Sequence, residues 1–168
     1  MRTPRVKLAI ATGAGQFTAR YSEKGLAELN FPKVGTPRCG VRTSQRDVPA
    51  QIRRWHRTTA AALKAVLAGR EPGNLPPLDL VGTEFQKRVW NALRRVSLGK
   101  TKSYGEIAQA IGKPQAVRAL GGACGANPIP VLIPCHRVLA AHGKIGGFGG
   151  GLEWKCKLLV REGIKFNP

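Results

Sequence analysis

Apolar and polar positions alternate at the start of the chain. VKLAI (6–10), QFTARY (16–21) and LAELNF (26–31) are short runs separated by the glycine-containing turns ATGAG and SEKG. A period of two broken at such intervals predicts three antiparallel strands in a meander. Residues 32–48 are polar, punctuated by Pro and Gly, and read as loop. From Pro49 the period lengthens. Ile52, Trp55, Thr59, Leu63 and Val66 share one face of a helix that Pro49 opens and Gly69 closes. The stretch EPGNLPPLDL (71–80) carries neither period. It marks the boundary between an α/β N-terminal domain, 1–79, and a mainly α C-terminal domain, 80–168.

The second half is helical in pattern. Thr83 and Gln86 form a capping box ahead of Phe85, Val89, Leu93 and Val96, a run that lasts until Gly99. Ser103 and Glu106 form another ahead of Ile107 and Ile111, ended by Gly112. Pro114 is expected to start the next helix, carrying Val117 and Leu120. Two short helices joined by a tight Gly-Lys turn match a helix-turn-helix. IPVLIPCHRVL (129–139) suits a buried extended segment, and the glycine-rich loop GKIGGFGGG (143–151) follows it. A last helix is expected to face the core with Leu152, Cys156 and Leu159 and to stop at Gly163.

Charge narrows the function. The chain has 168 residues, with 28 Lys and Arg against 9 Asp and Glu, for a net charge of +19. Residues 1–82 carry 14 basic and 5 acidic side chains and residues 83–168 carry 14 and 4, so the surplus belongs to the whole body. Such a distribution favours a polyanion partner through phosphate contacts and counterion release. No apolar run approaches the roughly 18 residues of a membrane span, and MRTPRVKLAI lacks a signal-peptide core. A cytoplasmic location is expected, nucleoid-associated in a prokaryote or nuclear in a eukaryote, with no membrane partner.

Four cysteines, Cys39, Cys124, Cys135 and Cys156, form no CxxC pair, and His56, His136 and His142 supply no ligand spacing, so no metal site is expected. Reduced thiols of this kind are core filler or reactive groups. Cys135 is followed directly by His136, and an imidazole beside a thiol is one route to a thiolate nucleophile. In extended chain these neighbours point to opposite sides, so their contact needs a turn or a bridging water. In PQAVRALGGACGAN, Gly121, Gly122 and Gly125 sit where helix should be, each costing about 1 kcal/mol relative to Ala. Either the helix ends at Gly121, or another backbone comes close there, with Arg118 the one long side chain on a low surface. GKT (99–101) lacks the upstream glycine of a P-loop and 143–151 lacks GxGxxG spacing, so no nucleotide cofactor is expected.

FQKRVW, SYGEIA, RALGGACGANP, IPCHRV and the final REG, in this order, resemble the O6-alkylguanine-DNA alkyltransferases, the methylated-DNA–protein-cysteine methyltransferases. The resemblance runs from about Thr83 to Gly163 and more loosely over the N-terminal strands. It implies an RNase-H-like fold for the first domain and a helix-turn-helix in the second. It implies repair by suicidal transfer of an alkyl group from O6-alkylguanine, and O4-alkylthymine, in duplex DNA to Cys135, without a cofactor. In this likeness His136 is the base, acting through a water. Glu162 orients it, Asn127 braces the active-site segment, and Tyr104 donates to the leaving guanine.

The resemblance also places Arg118 in the minor groove, filling the gap left by a flipped nucleotide, with Gln115, Ala116, Ala119, Gly121 and Gly122 against the DNA. Tyr104, Pro130, Val138, Gly146, Phe148, Gly149 and Gly150 are expected to line the pocket. Phe148 stands where the family often has Tyr, and Gly149 where it often has a hydroxyl or larger residue. Gly146 and Gly150 imply a roomy pocket that admits benzyl groups. The protein is expected to act as a monomer, with cooperation along DNA left open. The competing readings are a lesion sensor that transfers nothing, a Cys-His hydrolase and a basic architectural DNA-binding protein. The lesion-sensing relatives lack the acceptor cysteine, and Cys135 is present.

Overall fold

The computed structural model describes residues 6–32 and 48–167. Cys39 and most of the expected 32–48 loop lie outside the described residues. The three strands form where the alternation predicts them: β1 (Val6–Thr12), β2 (Gly15–Ser22) and β3 (Gly25–Asn30), antiparallel in the order β1-β2-β3. Ile10 pairs with Phe17 and Ala19 with Leu29, so one face buries Ile10, Phe17, Ala19, Tyr21 and Leu29. A register shift between Arg20 and Tyr21 lets Leu26 join them in the core.

Helix α1 (Ala50–Leu67) buries the five predicted residues against this sheet, with Pro49 as its N-cap rather than its first helical residue. Beyond it, 71–80 does more than link. Leu26 donates its N–H to the Pro77 carbonyl at 2.8 Å, and the Asp79 N–H returns to the Leu26 carbonyl at 2.8 Å. A bridge at Leu78 thereby covers part of the edge of β3. No local signal announces this pairing, because its partner lies about fifty residues upstream.

Both capping boxes form, at the starts of α2 (Glu84–Leu93) and α3 (Tyr104–Ala110). Helix α2 stops at Leu93, short of the expected Gly99, and Val96 is buried from the irregular chain beyond. The next helix, α4 (Val117–Gly125), starts later than Pro114. Residues 113–116 are a turn closed by the Ala116 N–H on the Lys113 carbonyl at 2.9 Å. It also continues through Gly121 and Gly122, so the glycines do not end it. The Trp90 indole of α2 donates to the Ala123 carbonyl at 2.9 Å and locks α4 onto the core.

The IPVLIPCHRVL run is buried as expected but is not extended throughout. Cys135–Arg137 form a short 3-10 turn before β5 (Val138–Leu139), which pairs in parallel with β4 (Lys102–Ser103). Helix α5 (Leu152–Arg161) is rotated from the predicted phase. Its core side is Lys155, Leu158 and Leu159, whereas Leu152 is half exposed. Aromatic rings tie α5 and the glycine-rich loop to the sheet: Phe31 lies 5.0 Å from Trp154 and 5.8 Å from Phe148, centroid to centroid. The N-terminal sheet therefore braces one wall of the region around Cys135. Among the described residues, no helix is long and apolar enough to cross a membrane.

Candidate active site

Two cavities meet at Cys135. One, about 550 Å³, is lined by Tyr104, Arg118, Gly121, Cys124, Gly146, Phe148 and Gly149 together with Cys135. The other, about 330 Å³, adds Asn127, Pro130 and Gly150. A further cavity of about 550 Å³ lies between α2 and α3 and holds no thiol. The chemistry therefore points to the Cys135 side.

The thiol is held by the chain that surrounds it. Asn127, just past the end of α4, donates from Nδ2 to the Ile133 carbonyl at 2.8 Å and to Cys135 Sγ at 3.1 Å. Its Oδ1 accepts the Ile129 N–H at 3.0 Å. One buried amide thus fixes both ends of the 129–133 loop and the sulfur. Within that loop Val131 takes φ 74°, a left-handed conformation rare for a β-branched residue. Strain of this kind persists only where the surroundings over-determine it, and the Asn127 contacts do so.

Burial pushes the Cys135 thiol up, and the Asn127 hydrogen bond and the Lys155 ammonium oppose it. His136 is fully buried, and its Nε2 lies 2.8 Å from Glu162 Oε1. A carboxylate only accepts, so Nε2 carries the proton and Nδ1 holds the lone pair. Nδ1 is buried without a protein partner among the described residues. Burial lowers the His136 pKa against the opposing pull of Glu162, which favours the neutral, basic ring.

Glu162 is clamped from a second side. Arg137 Nε and Nη2 donate to its two oxygens at 2.8 and 3.0 Å, and Nη1 donates to the Val96 carbonyl at 2.6 Å. Burial raises the Glu162 carboxyl, but the His136 and Arg137 hydrogen bonds outweigh it and hold it at about 2. Tyr104 is pushed up to about 12, first by burial and then by the thiols of Cys124 and Cys135, so its phenol is a proton donor at neutral pH.

This arrangement can be set against known proteins. Residues 84–164 match the family described as 6-O-methylguanine DNA methyltransferase, DNA binding domain. A methylated-DNA–protein-cysteine methyltransferase of Methanosarcina acetivorans is 43% identical over 141 residues, which is 84% of this chain and 87% of that protein. The chain belongs to this family. The enzyme of the same name from Mycolicibacterium paratuberculosis is 58% identical over 85 residues, 51% of this chain and 52% of its own length. The chain thus spans about half of that relative and most of the archaeal one. A crystal structure of Mycobacterium tuberculosis OGT in complex with DNA superposes with a TM-score of 0.74 at 37% identity, covering 93% of this chain and 91% of that one.

The structure brings together Cys135, His136, Glu162, Asn127 and Tyr104. Arg118 stands exposed at the cavity rim with Gly121, and Ala119 and Gly122 are exposed along α4. Gln115 and Ala116 belong to the turn before that helix. One lining residue, and the room read into two glycines that do line the cavities, need correction. Val138 is fully buried and lines neither Cys135 cavity, because its strand position turns the side chain into the core. Gly150 gives no room: a Cβ there would collide with the Phe31 and Phe148 rings. Gly146 is required by its φ of 63°, and a Cβ there would sit 3.4 Å from the Tyr104 ring.

Sequence reasoning gave no role to Arg137, Cys124 or Lys155. Arg137 was visible inside PCHRV, but only the fold shows that it faces Glu162. Lys155 becomes conspicuous once α5 is turned to its true phase, as a charge between apolar positions.

Proposed function

We infer that this chain repairs DNA by transferring an alkyl group from O6-alkylguanine in a duplex to the sulfur of Cys135. The observation that carries this reading is the set of groups gathered at the thiol: Asn127 on Sγ, and next in the chain a buried His136 with an Nδ1 unpartnered among the described residues and Glu162 on its Nε2. The Cys135 proton passes through a water to His136 Nδ1, and the imidazolium that forms is balanced by Glu162. Sulfur then attacks the alkyl carbon. The S–C bond forms as the C–O6 bond breaks, and Tyr104 supplies a proton or hydrogen bond to the departing guanine. The thioether product has no leaving group that these side chains can activate, so each molecule acts once.

The α3–turn–α4 unit reads as the helix-turn-helix that meets DNA, and the strands with α1 as an RNase-H-like domain ending at 79. Glycine on α4 supports the first assignment. A Cβ on Gly121, Gly122 or Gly125 would meet nothing within 4 Å, so these glycines serve no close packing inside the protein. Their helical cost, about 1 kcal/mol each, leaves a low surface that another molecule can approach. Small residues beside Arg118 suit a minor groove, with the arginine entering the stack as the target nucleotide flips out. O4-alkylthymine fits the same displacement, and the setting that suits it is the cell's own DNA, at the nucleoid of a prokaryote or in the nucleus of a eukaryote.

With methylated duplex in excess, transfer is expected to stop at one methyl per chain. Continued turnover would overturn the suicidal mechanism and favour a hydrolase. A cavity of about 550 Å³ beside Sγ also accommodates a benzyl group. Free benzylated guanine is expected to label the protein, and Arg118→Ala is expected to leave that labelling unchanged while slowing duplex repair at least tenfold. Equal loss on both substrates would show that Arg118 serves the pocket rather than base extrusion.

A further inference from the structure

Lys155 of α5 is completely buried, an unusual place for a lysine. Its ammonium donates to the Val138 carbonyl at 2.7 Å and to the Gly147 carbonyl at 3.2 Å. Among the described residues it has no carboxylate within ion-pair distance. The neighbouring core positions on its own helix are Leu158 and Leu159. An apolar side chain would fill this slot without the cost of burying an unpaired cation. The two carbonyls offset that cost only in part, because each is a dipole and not a charge.

The location of the ammonium supplies the missing partner. Val138 lies three residues beyond Cys135, and Gly147 lines the Cys135 cavity. The amine therefore straps the segment bearing the nucleophile to the glycine-rich loop. The ionisable groups it faces are the thiols of Cys135, Cys124 across the cavity on α4 and Cys156 on its own helix, together with the His136 ring. Tyr104 of α3 and His136 complete the titratable groups around the sulfur, and neither places a fixed positive charge there. Arg137, next in the chain, is committed to Glu162 and Val96. When the sulfur becomes an anion, Lys155 is the cation placed to stabilise it.

We propose that Lys155 is a positioning residue for alkyl transfer, whose buried ammonium biases Cys135 toward the thiolate and holds the nucleophile segment against the glycine-rich wall. This rests on Cys135 being the acceptor. No oxidant or cofactor enters the step: the thiol loses its proton to the His136 relay, and the charge left on sulfur lies in the field of the ammonium. Burial lowers Lys155 against the opposing pull of the surrounding thiols, leaving it at about 8. It is thus mostly protonated at neutral pH, and its help fades as pH rises through that value.

The test uses the full chain with Lys155→Met, which keeps the length and loses the charge, and Lys155→Arg, which keeps the charge. Carboxamidomethylation of the Cys135 peptide is followed against pH by mass spectrometry, beside melting temperature and methyl transfer from duplex DNA. Lys155→Met is expected to have about tenfold less Cys135 thiolate at neutral pH. Transfer should slow by a similar factor and recover as pH is raised, with Lys155→Arg lying nearer the native protein. An unchanged thiol titration in a folded Lys155→Met protein would overturn the proposal and leave Lys155 a strut.

If that variant does not fold, nitrogen NMR of Lys155 in the native protein decides. Its titration should move to lower pH once Cys135 is carboxamidomethylated and can no longer become an anion. No movement would overturn the proposal. Methyl found on another cysteine would instead defeat the functional reading, and these thiol titrations would still report on Lys155.

Discussion

Glu162→Gln is expected to destabilise the protein by about 3–5 kcal/mol and to cut alkyl transfer by at least a hundredfold. The stability loss follows from Arg137. Its guanidinium is almost wholly buried and spends two donors on Glu162, so removing the carboxylate charge strands a buried cation. The catalytic loss follows from His136, whose imidazolium would form without a compensating charge. The same contact sets the acid behaviour. The Glu162 carboxyl lies at about 2 when folded against an ordinary 4.5, so its contribution is fully present above 4.5 and disappears as pH falls toward 2. Urea unfolding across this range should show Glu162→Gln with a flatter acid limb than the native protein. A parallel limb, or a loss below 1 kcal/mol, would show that the Arg137–Glu162 pair contributes little.

Asn127→Ala is expected to cost about 2–5 kcal/mol and to slow transfer further than the stability loss explains. Among the described residues the amide is the sole partner of the Ile129 N–H, and it also serves the Ile133 carbonyl and the Cys135 sulfur. Stranding the Ile129 N–H costs about 1–3 kcal/mol, while the Ile133 carbonyl keeps the Cys135 N–H at 2.8 Å and loses only its second donor. Without this brace the 129–133 loop has less to hold Val131 at positive φ, and the sulfur loses a donor that favours its anion. Denaturant unfolding and transfer rates measured on the still-folded variant separate the two effects. A variant with native transfer at native-like melting would show that Asn127 neither braces the loop nor tunes the thiol.

What could be read from the sequence was whatever a few adjacent residues decide. Strand alternation in 6–31, the α1 face from Ile52 to Val66 and the Thr83 and Ser103 capping boxes are local, and all four are present in the fold. Cys135, His136, Asn127 and Glu162 were nominated through the order of the motifs, since nothing local joins a glutamate at 162 to a histidine at 136. The failures have a common cause. The phase of α5 is set by Lys155 reaching Val138 and Gly147, the late start of α4 by a turn closed on Lys113, and the need for Gly150 by rings at Phe31 and Phe148. Each depends on a contact that helical or strand periodicity does not encode.

The central claim is that Cys135 accepts the alkyl group, and peptide mapping tests it most directly. The protein is incubated with a duplex carrying one O6-methylguanine, digested and analysed by mass spectrometry, beside Cys135→Ser. One methyl is expected on the Cys135 peptide, saturating at one per chain, and none in the variant although it still binds the duplex. Methyl on Cys124 or Cys156, or binding with no transfer by the native chain, would contradict it.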